Sequence, residues 1–421
     1  MAAEEFVVLE GTHFEGGGGL IRDVLSFSSL LNRSVQVNSI RANRPGIGGL
    51  RVEHTVAIET MAYLTGAVVE GNAIASRQLV FKPHQDPKAG VIEDGKHLDI
   101  TVEGSAAIFM IAMIPYILFS HLGAAAYIQP IIPKAGIELT IRAGTLCVKA
   151  PSYHNVVEVL LPTLKAIGIS EDFIKLDTSY EQGWHTDYVK IPGRIKLWVK
   201  PLQIPLKAFI LEKRGEISII RLIAHAPEDE YQEFGATVKK EIEEAFHQRS
   251  SSPNPKLDIQ VQTFQSSVPD QYHLLLVAET VDPNARIGYE EVFPQKSGFP
   301  EGLALDKDRL FKHLARVCIR GLINELRSGN AVDENIEDML VIYQSLANGF
   351  SSVTAPGNAR LVTEDPRLRV PLEMPSDDYD FDTKTLHRET AYWVANTMAG
   401  VTFTEKDGRK GCHGVALGSM H

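Results

Sequence analysis

Cysteine is scarce in this chain of 421 residues: Cys147, Cys318 and Cys412 are scattered, with neither the paired spacing of a zinc site nor the numbers of a disulfide framework. A reducing compartment is expected. Long apolar runs are also missing. The longest, Ala106 to Phe119, has 14 residues and contains Pro115, short of the roughly 20 needed to cross a bilayer, so it reads as a buried helix. Positive charge is in deficit, with 42 Lys and Arg against 53 Asp and Glu and a net charge of −11. That excludes a protein that coats nucleic acid non-specifically, since such binding is driven by counterion release around many cations. Any nucleic-acid contact is expected to be local. The opening MAAEEFVVLE is acidic where a signal or transit peptide is basic and apolar, so secretion is not expected.

What is present is ordinary globular composition, 44% hydrophobic and 23% charged, at a length that suits two or three domains. The most informative stretch runs from Glu10 to His54. A strand-like Phe6 to Leu9 meets Glu15 and four consecutive glycines, Gly16 to Gly19, and then apolar residues at helical spacing from Leu20 to Leu31. A glycine turn entering a helix lets an anion approach backbone N–H groups and the positive end of the helix dipole. Arg41, Arg44 and Arg51 follow in an Asn-, Pro- and Gly-rich segment closed by His54. The Lys-Ser/Thr ending of a P-loop is absent, and the spacing is not the dinucleotide fingerprint, so the glycines alone also fit a plain tight connection. Glu15 suits a phosphate loop only if a divalent cation lies between carboxylate and phosphate.

Along the chain, residues 1 to about 90 read as β-α-β-α-β-β: strands at 6–9, 35–40, 67–70 and 76–81, and helices at 20–31 and 51–65. The order recurs over about 91–201, with a strand at 97–102, helices at 106–121 and 153–167, and strands at 137–142 and 194–199. A third copy is expected over 286–421, opening with a strand at 286–288 and continuing with the helix 307–327, the apolar segment 335–347 and the helix 387–398. Residues 202–285 change character and read as a small inserted domain, with strands at 216–224, 257–263 and 272–278 and a charged helix at 231–248. Residues 354–384, without periodicity, are expected to form a surface loop.

The stretch LEGTHFEGGGGLIRDVLSFSSLLNRSVQVNSIRANRPGIGGLRVEH resembles the N-terminal signature of RNA 3'-terminal phosphate cyclases. The likeness continues in collinear order through GTLCVKAP, RGEISIIRLIAHA, SGNAVDENIEDMLV and LHRETAYWVANTMAGVTF. The resemblance implies an α/β (α+β) fold: a large domain of three β-α-β-α-β-β repeats, with a small α/β domain inserted between the second and third. It implies use of ATP and a divalent metal, Mg or Mn, to convert an RNA 3'-phosphate into a 2',3'-cyclic phosphate. A histidine would take AMP, releasing pyrophosphate, and hand it to the RNA 3'-phosphate, from which the 2'-OH displaces it. The implied partners are RNA 3' ends, with no DNA or membrane, and the implied location is intracellular, in the nucleus.

By position in these motifs, His387 falls on the family's nucleophile. An unprotonated imidazole near neutral pH suits that role, although one of 14 histidines could equally cap the helix that starts there. Glu15 falls on the glutamate near the metal, and Arg22, Arg41, Arg44 and Arg51 on the basic residues of the phosphate and RNA path. Pro151 falls where the family packs a proline against adenine, and Asp338 on the aspartate of the nucleotide-binding segment. The chain departs from the pattern at that end. Asn335 stands in place of the stacking aromatic, Met339 in place of a glutamine, and Ile111 in place of the glutamine of the second repeat. Losing one aromatic stack removes about 1 kcal/mol. Two alternatives remain: a non-catalytic cyclase-like protein that binds RNA or a partner in ribosome assembly, and a transferase on a small phosphorylated metabolite, related in architecture to the synthase of enolpyruvyl-shikimate phosphate.

Overall fold

The chain's first strand, β1 (Val7–Glu10), runs parallel to β2 (Val35–Asn38), and a parallel pair needs a crossover, which α1 (Gly18–Leu31) supplies. The computed structural model describes residues 6–43, 48–86, 97–124, 132–247, 257–281, 283–294, 298–299, 302–354 and 381–419. After α2 (Val52–Thr65) come β3 (Val68–Glu70) and β4 (Leu79–Lys82), and the sheet order is β1-β2-β4-β3, antiparallel beyond β2. The helix α1 buries Leu20, Ile21, Val24, Leu25, Phe27 and Leu30, the stripe that its sequence spacing predicts. It ends at Asn32, whose φ of 52° is a left-handed cap.

The second sheet has the same order and sense: β5 (His97–Ser105) parallel to β6 (Ile137–Gly144), then β11 (Gly193–Val199) and β8 (Ile174–Leu176) antiparallel. The apolar run forms α3 (Ala106–Phe119) between β5 and β6, capped by Ser105 Oγ accepting the Ile108 N–H. A separate three-stranded ladder joins β7 (Leu146–Cys147), β9 (Trp184–His185) and β10 (Lys190–Ile191). The helix expected over 153–167 is broken in kind. It begins as α4 (Tyr153–Asn155), widens to a π-helical turn over Val156–Leu160 and resumes as α5 (Leu161–Ala166). Pro162 explains this, because it has no N–H to donate and its ring would meet the carbonyl of residue 158 in an α-turn.

From residue 216 the chain builds β12 (Glu216–Ala226), α6 (Tyr231–His247), β13 (Asp258–Gln265), β14 (Tyr272–Val281), β15 (Arg286–Phe293) and α7 (Lys307–Arg327). Here the sequence expectation needs correcting. The strand at 286–288 does not open a third repeat: β15 pairs antiparallel with β14 from Arg286 to Phe293, in the order β13-β12-β14-β15. The helix α7 covers the same unit, its Leu310, Phe311, Leu314, Cys318 and Leu322 sharing a core with Phe234, Val238 and Ile242 of α6.

The last sheet follows α8 (Glu334–Leu346), with β16 (Phe350–Ser352), α9 (Phe381–Ala399), β17 (Thr404–Lys406) and β18 (Arg409–His413), in the order β16-β18-β17. Beside β16 runs the backbone of residues 207–210, bridged in parallel through Lys207 to Asn348 and Ile210 to Ser352. That segment stands to β16 as β1 does to β2, so the partner of β16 comes from before β12. Pro201 and Pro205 precede it, and the pairing stays at these isolated bridges. The 354–384 loop expected from the sequence lies largely outside the described residues, but its end is helical, since α9 starts at Phe381.

One apolar core joins α1, α3, α8 and α9. The unit around β12 joins it through Ile223, Leu275 and Val277 and through polar contacts. Gly288 N–H donates to Asp333 Oδ2 at the cap of α8, and Arg286 pairs with Glu158 of the π-turn at 2.7 Å. The packing of α1 against α9 brings the glycine loop and the C-terminal histidine together.

Candidate functional site

The glycine loop is shaped by contacts that only glycine permits. Gly16 has φ +57°, and a Cβ there would lie 1.8 Å from the Gly11 carbonyl oxygen. A Cβ on Gly17 would lie 1.9 Å from Glu15 Oε1. Gly17 is the N-cap of α1 and offers no side-chain acceptor, and the first turn holds no acidic residue, so the helix has no capping side chain of its own. Glu15 itself is buried and folds back, its Oε2 accepting the Gly17 N–H at 2.9 Å. Its own N–H donates to Thr390 Oγ1 of α9. One turn before Thr390 on that helix, His387 Nδ1 lies 3.6 Å from Glu15 Oε2. Because α9 begins at Phe381, His387 sits in the body of the helix and caps nothing.

The arginine loop is tied to the same turn, with the Arg41 N–H donating to the Gly16 carbonyl at 3.0 Å. Arg41 is buried with φ 55°, a left-handed conformation uncommon for a residue with a side chain. Arg51 is the N-cap of α2, and its N–H donates to His54 Nδ1 at 3.1 Å. That contact puts the proton of a neutral His54 on Nε2, which faces Gly18: a Cβ there would be 2.7 Å away. Burial, and then the charges of Arg41, Arg22 and Arg51, push the His54 pKa from 6.5 down to about 3. The ring is therefore a neutral donor among cations at the head of α1. Arg44 lies outside the described residues.

Below His387 a pocket is lined by Gly19, Arg22, Asp23, Ile111, Asp338 and Met339, with Ile114, Leu160, Ile342, Tyr343 and Ala391 completing its apolar wall. Protein encloses Asp23 and Asp338 on most sides, although each keeps partial exposure to the pocket. Burial raises both pKa values from 3.8 to about 7, while the nearby Arg22 holds them down. The charges of Asp23 and Glu337 push Asp338 further up. Asp338 Oδ1 and Arg22 Nε are buried and make no hydrogen bond among the described residues. Both are free to meet a ligand.

The fold thus gathers Glu15, Arg22, Arg41 and His387, with Ile111, Asp338 and Met339 in the same pocket as His387. Pro151 and Asn335 are not part of that lining: Asn335 is exposed on α8, and Pro151 precedes Ser152, whose N–H donates to Glu290. Sequence reasoning missed Asp23 and the part played by His54. Asp23 adjoins Arg22 in a helix otherwise read for its apolar stripe, and His54 closes the arginine loop three residues after Arg51, the spacing of a reciprocal helix cap.

A model of the family described as RNA 3'-terminal phosphate cyclase matches residues 13–404. Among curated relatives, the RNA 3'-terminal phosphate cyclase of Desulfurococcus amylolyticus is 26% identical over 352 residues, covering 82% of this chain and 86% of that protein. That of Methanosarcina mazei is 25% identical over 421 residues, covering 98% of this chain and all of its own. The probable RNA 3'-terminal phosphate cyclase of Dictyostelium discoideum is 24% identical, covering 94% of this chain and 77% of that protein. With the family match spanning most of the sequence, including both the glycine loop and the helix of His387, the chain belongs to the RNA 3'-terminal phosphate cyclase family.

Proposed function

We propose that this chain cyclises RNA 3'-phosphates at the expense of ATP, with His387 as the adenylylated nucleophile. The observation that carries the reading is the meeting of His387 Nδ1 with Glu15 Oε2, 3.6 Å apart, at a helix N-terminus ringed by Arg22, Arg41, Arg51 and His54. A carboxylate beside one imidazole nitrogen holds the ring so that the other, Nε2, presents its lone pair. Nε2 attacks the α-phosphorus, forming a P–N bond as the bond to pyrophosphate breaks. An oxygen of the RNA 3'-phosphate then takes the AMP from His387. The 2'-OH next attacks the 3'-phosphorus, closing the ring, losing its proton and releasing AMP.

Arg22, Arg41 and the Nε2–H of His54 supply donors for phosphate oxygens in a poorly solvated site, where such contacts are strong. Among the described residues no three His, Cys, Asp or Glu side chains form a metal cluster. Glu15 fits a magnesium-like ion that takes one carboxylate and completes its shell with phosphate oxygens and water.

Incubation with ATP radiolabelled at the α-phosphate tests the reading. The protein should retain label, and a His387→Ala variant should not. Equal labelling of the two would remove His387 from the mechanism.

A second reading, a non-catalytic RNA-binding relative, draws on the altered pocket: Ile111 and Met339 offer no polar group to a base, and Asn335 lies outside the lining. It predicts RNA binding without retained label. The nuclear location that the resemblance implies gains nothing from the relatives, since those from D. amylolyticus and M. mazei are archaeal. No helix among the described residues is long and apolar enough to cross a membrane.

A further inference from the structure

Phe14 is a bulky residue in a place that suits neither its backbone nor its ring. Its φ is 49°, in the left-handed region that side chains rarely adopt, and the residue is 43% exposed. The backbone there is fixed on both sides. His13 N–H donates to the Glu10 carbonyl, Asn43 Nδ2 donates to the Thr12 carbonyl, and Glu15 N–H donates to Thr390 Oγ1. The ring does not stand alone. Trp393 of α9 lies 6.3 Å from it, tilted by 55°, and also receives His13 edge-on at 5.0 Å.

The placement of this cluster follows the helix. His387, Thr390 and Trp393 succeed one another at three-residue steps, and the loop runs along that ridge in the opposite sense, Glu15 at His387 and Thr390, His13 and Phe14 at Trp393. At 1.5 Å of rise per residue, Trp393 stands about 9 Å along the axis from His387. That is the reach of one nucleotide from its 3'-phosphate to its base. The pocket lies on another face of α9, reached through His387 and Ala391, so the aromatic cluster and the pocket flank the histidine on separate sides.

We propose that Phe14 and Trp393 form a stacking platform for the 3'-terminal nucleobase of the RNA. The proposal rests on the cyclase reading, and it assigns to these rings a subsite outside the nucleotide pocket. A base stacked there anchors the terminal ribose with its phosphate over the glycine loop and within reach of His387. Stacking accepts any base, because every base has a π-face, so the platform takes a terminal base of any identity.

The test uses fluorescence anisotropy with a short oligoribonucleotide ending in a 3'-phosphate, and a matched oligonucleotide whose terminal ribose carries no base. Removing the base should weaken binding to the wild-type protein by about tenfold or more. Phe14→Ala should weaken binding of the base-bearing oligonucleotide to a similar extent and leave that of the abasic one unchanged, and Phe14→Tyr should restore it. Equal binding of the two oligonucleotides by the wild type overturns the proposal and leaves the cyclase reading standing if α-labelled ATP still marks the protein. So does an equal loss for both with Phe14→Ala. Should the wild type neither retain label nor bind the 3'-phosphorylated oligonucleotide, the cyclase reading falls and this proposal with it.

Discussion

His387 Nδ1 and Glu15 Oε2, from opposite ends of the chain, stand 3.6 Å apart, and the same carboxylate oxygen accepts the Gly17 N–H. Glu15 is held from both helices: its carboxylate accepts the Gly17 N–H of α1, and its own N–H donates to the Thr390 hydroxyl of α9. Glu15→Gln preserves the shape and an acceptor for Gly17 but removes the charge facing the imidazole. The rate of label transfer from α-labelled ATP in a single turnover should fall by about a hundredfold or more. A Glu15→Gln protein that labels at the wild-type rate would show that the carboxylate's charge plays no part.

Gly16 and Gly17 separate folding from chemistry. The atoms nearest a Cβ on Gly17 all belong to the end of the Glu15 side chain, Oε1 at 1.9 Å, and a flexible side chain can swing aside. Gly17→Ala should therefore fold with a near-normal unfolding midpoint and lose labelling, because Glu15 is driven off His387. A Cβ on Gly16 meets backbone, the Gly11 oxygen at 1.8 Å, in a left-handed conformation. Gly16→Ala should lower stability by about 1–3 kcal/mol or more, read from denaturant unfolding. If the two variants behaved alike in both assays, the loop would not be built as described.

His54 gives stability a definite pH slope. Its folded pKa of about 3 lies below the ordinary 6.5, so the contribution is whole above pH 6.5 and is lost as the pH falls from there toward 3. Over that window the unfolded chain takes up a proton that the folded one refuses, an effect on the order of 5 kcal/mol when complete. His154, also held down to about 3 by burial and by His273, adds a slope of the same sign. Chemical denaturation from pH 7 to pH 4 should show a falling midpoint, and His54→Gln should flatten part of it. An unchanged slope in that variant would mean that His54 carries a proton in the folded protein.

How much of this was legible beforehand depended on range. The glycine loop, α1 and α2 were readable because glycine, apolar spacing and caps act within a few residues. The segment 207–210 was not, since its strand character comes from pairing with β16 across an intervening unit and the prolines just before it, Pro201 and Pro205, disguise it. Conversely, 286–288 looked like the start of something new until β14 claimed it. Glu15 and His387 were named from local motifs, yet only the packing of α1 on α9 joins them. Asp23 escaped because its role arises from burial among charges, which no linear pattern displays, whereas the cap spacing of Arg51 and His54 placed His54 without showing that burial would hold it neutral.

Asp23 and Asp338 oppose His54 in their effect. Their folded pKa values, raised from 3.8 to about 7, mean that the folded chain binds protons more readily than the unfolded one, so their contribution to stability grows as pH falls from 7 toward 3.8. Above pH 7 both are ionised in a confined space with Arg22 as the nearby cation named for each, which burdens the fold. Asp338→Asn removes one of the two charges and keeps the shape. At pH 8 this variant should melt above the wild type, and the gap should close as pH is lowered through 7. The same variant should lose affinity for the nucleotide if Asp338 Oδ1, buried without a hydrogen bond, is an acceptor held for a ligand. Greater stability together with weaker ATP binding would mark Asp338 as kept for function at the expense of the fold, whereas greater stability with unchanged ATP binding would leave its charge without a ligand to meet.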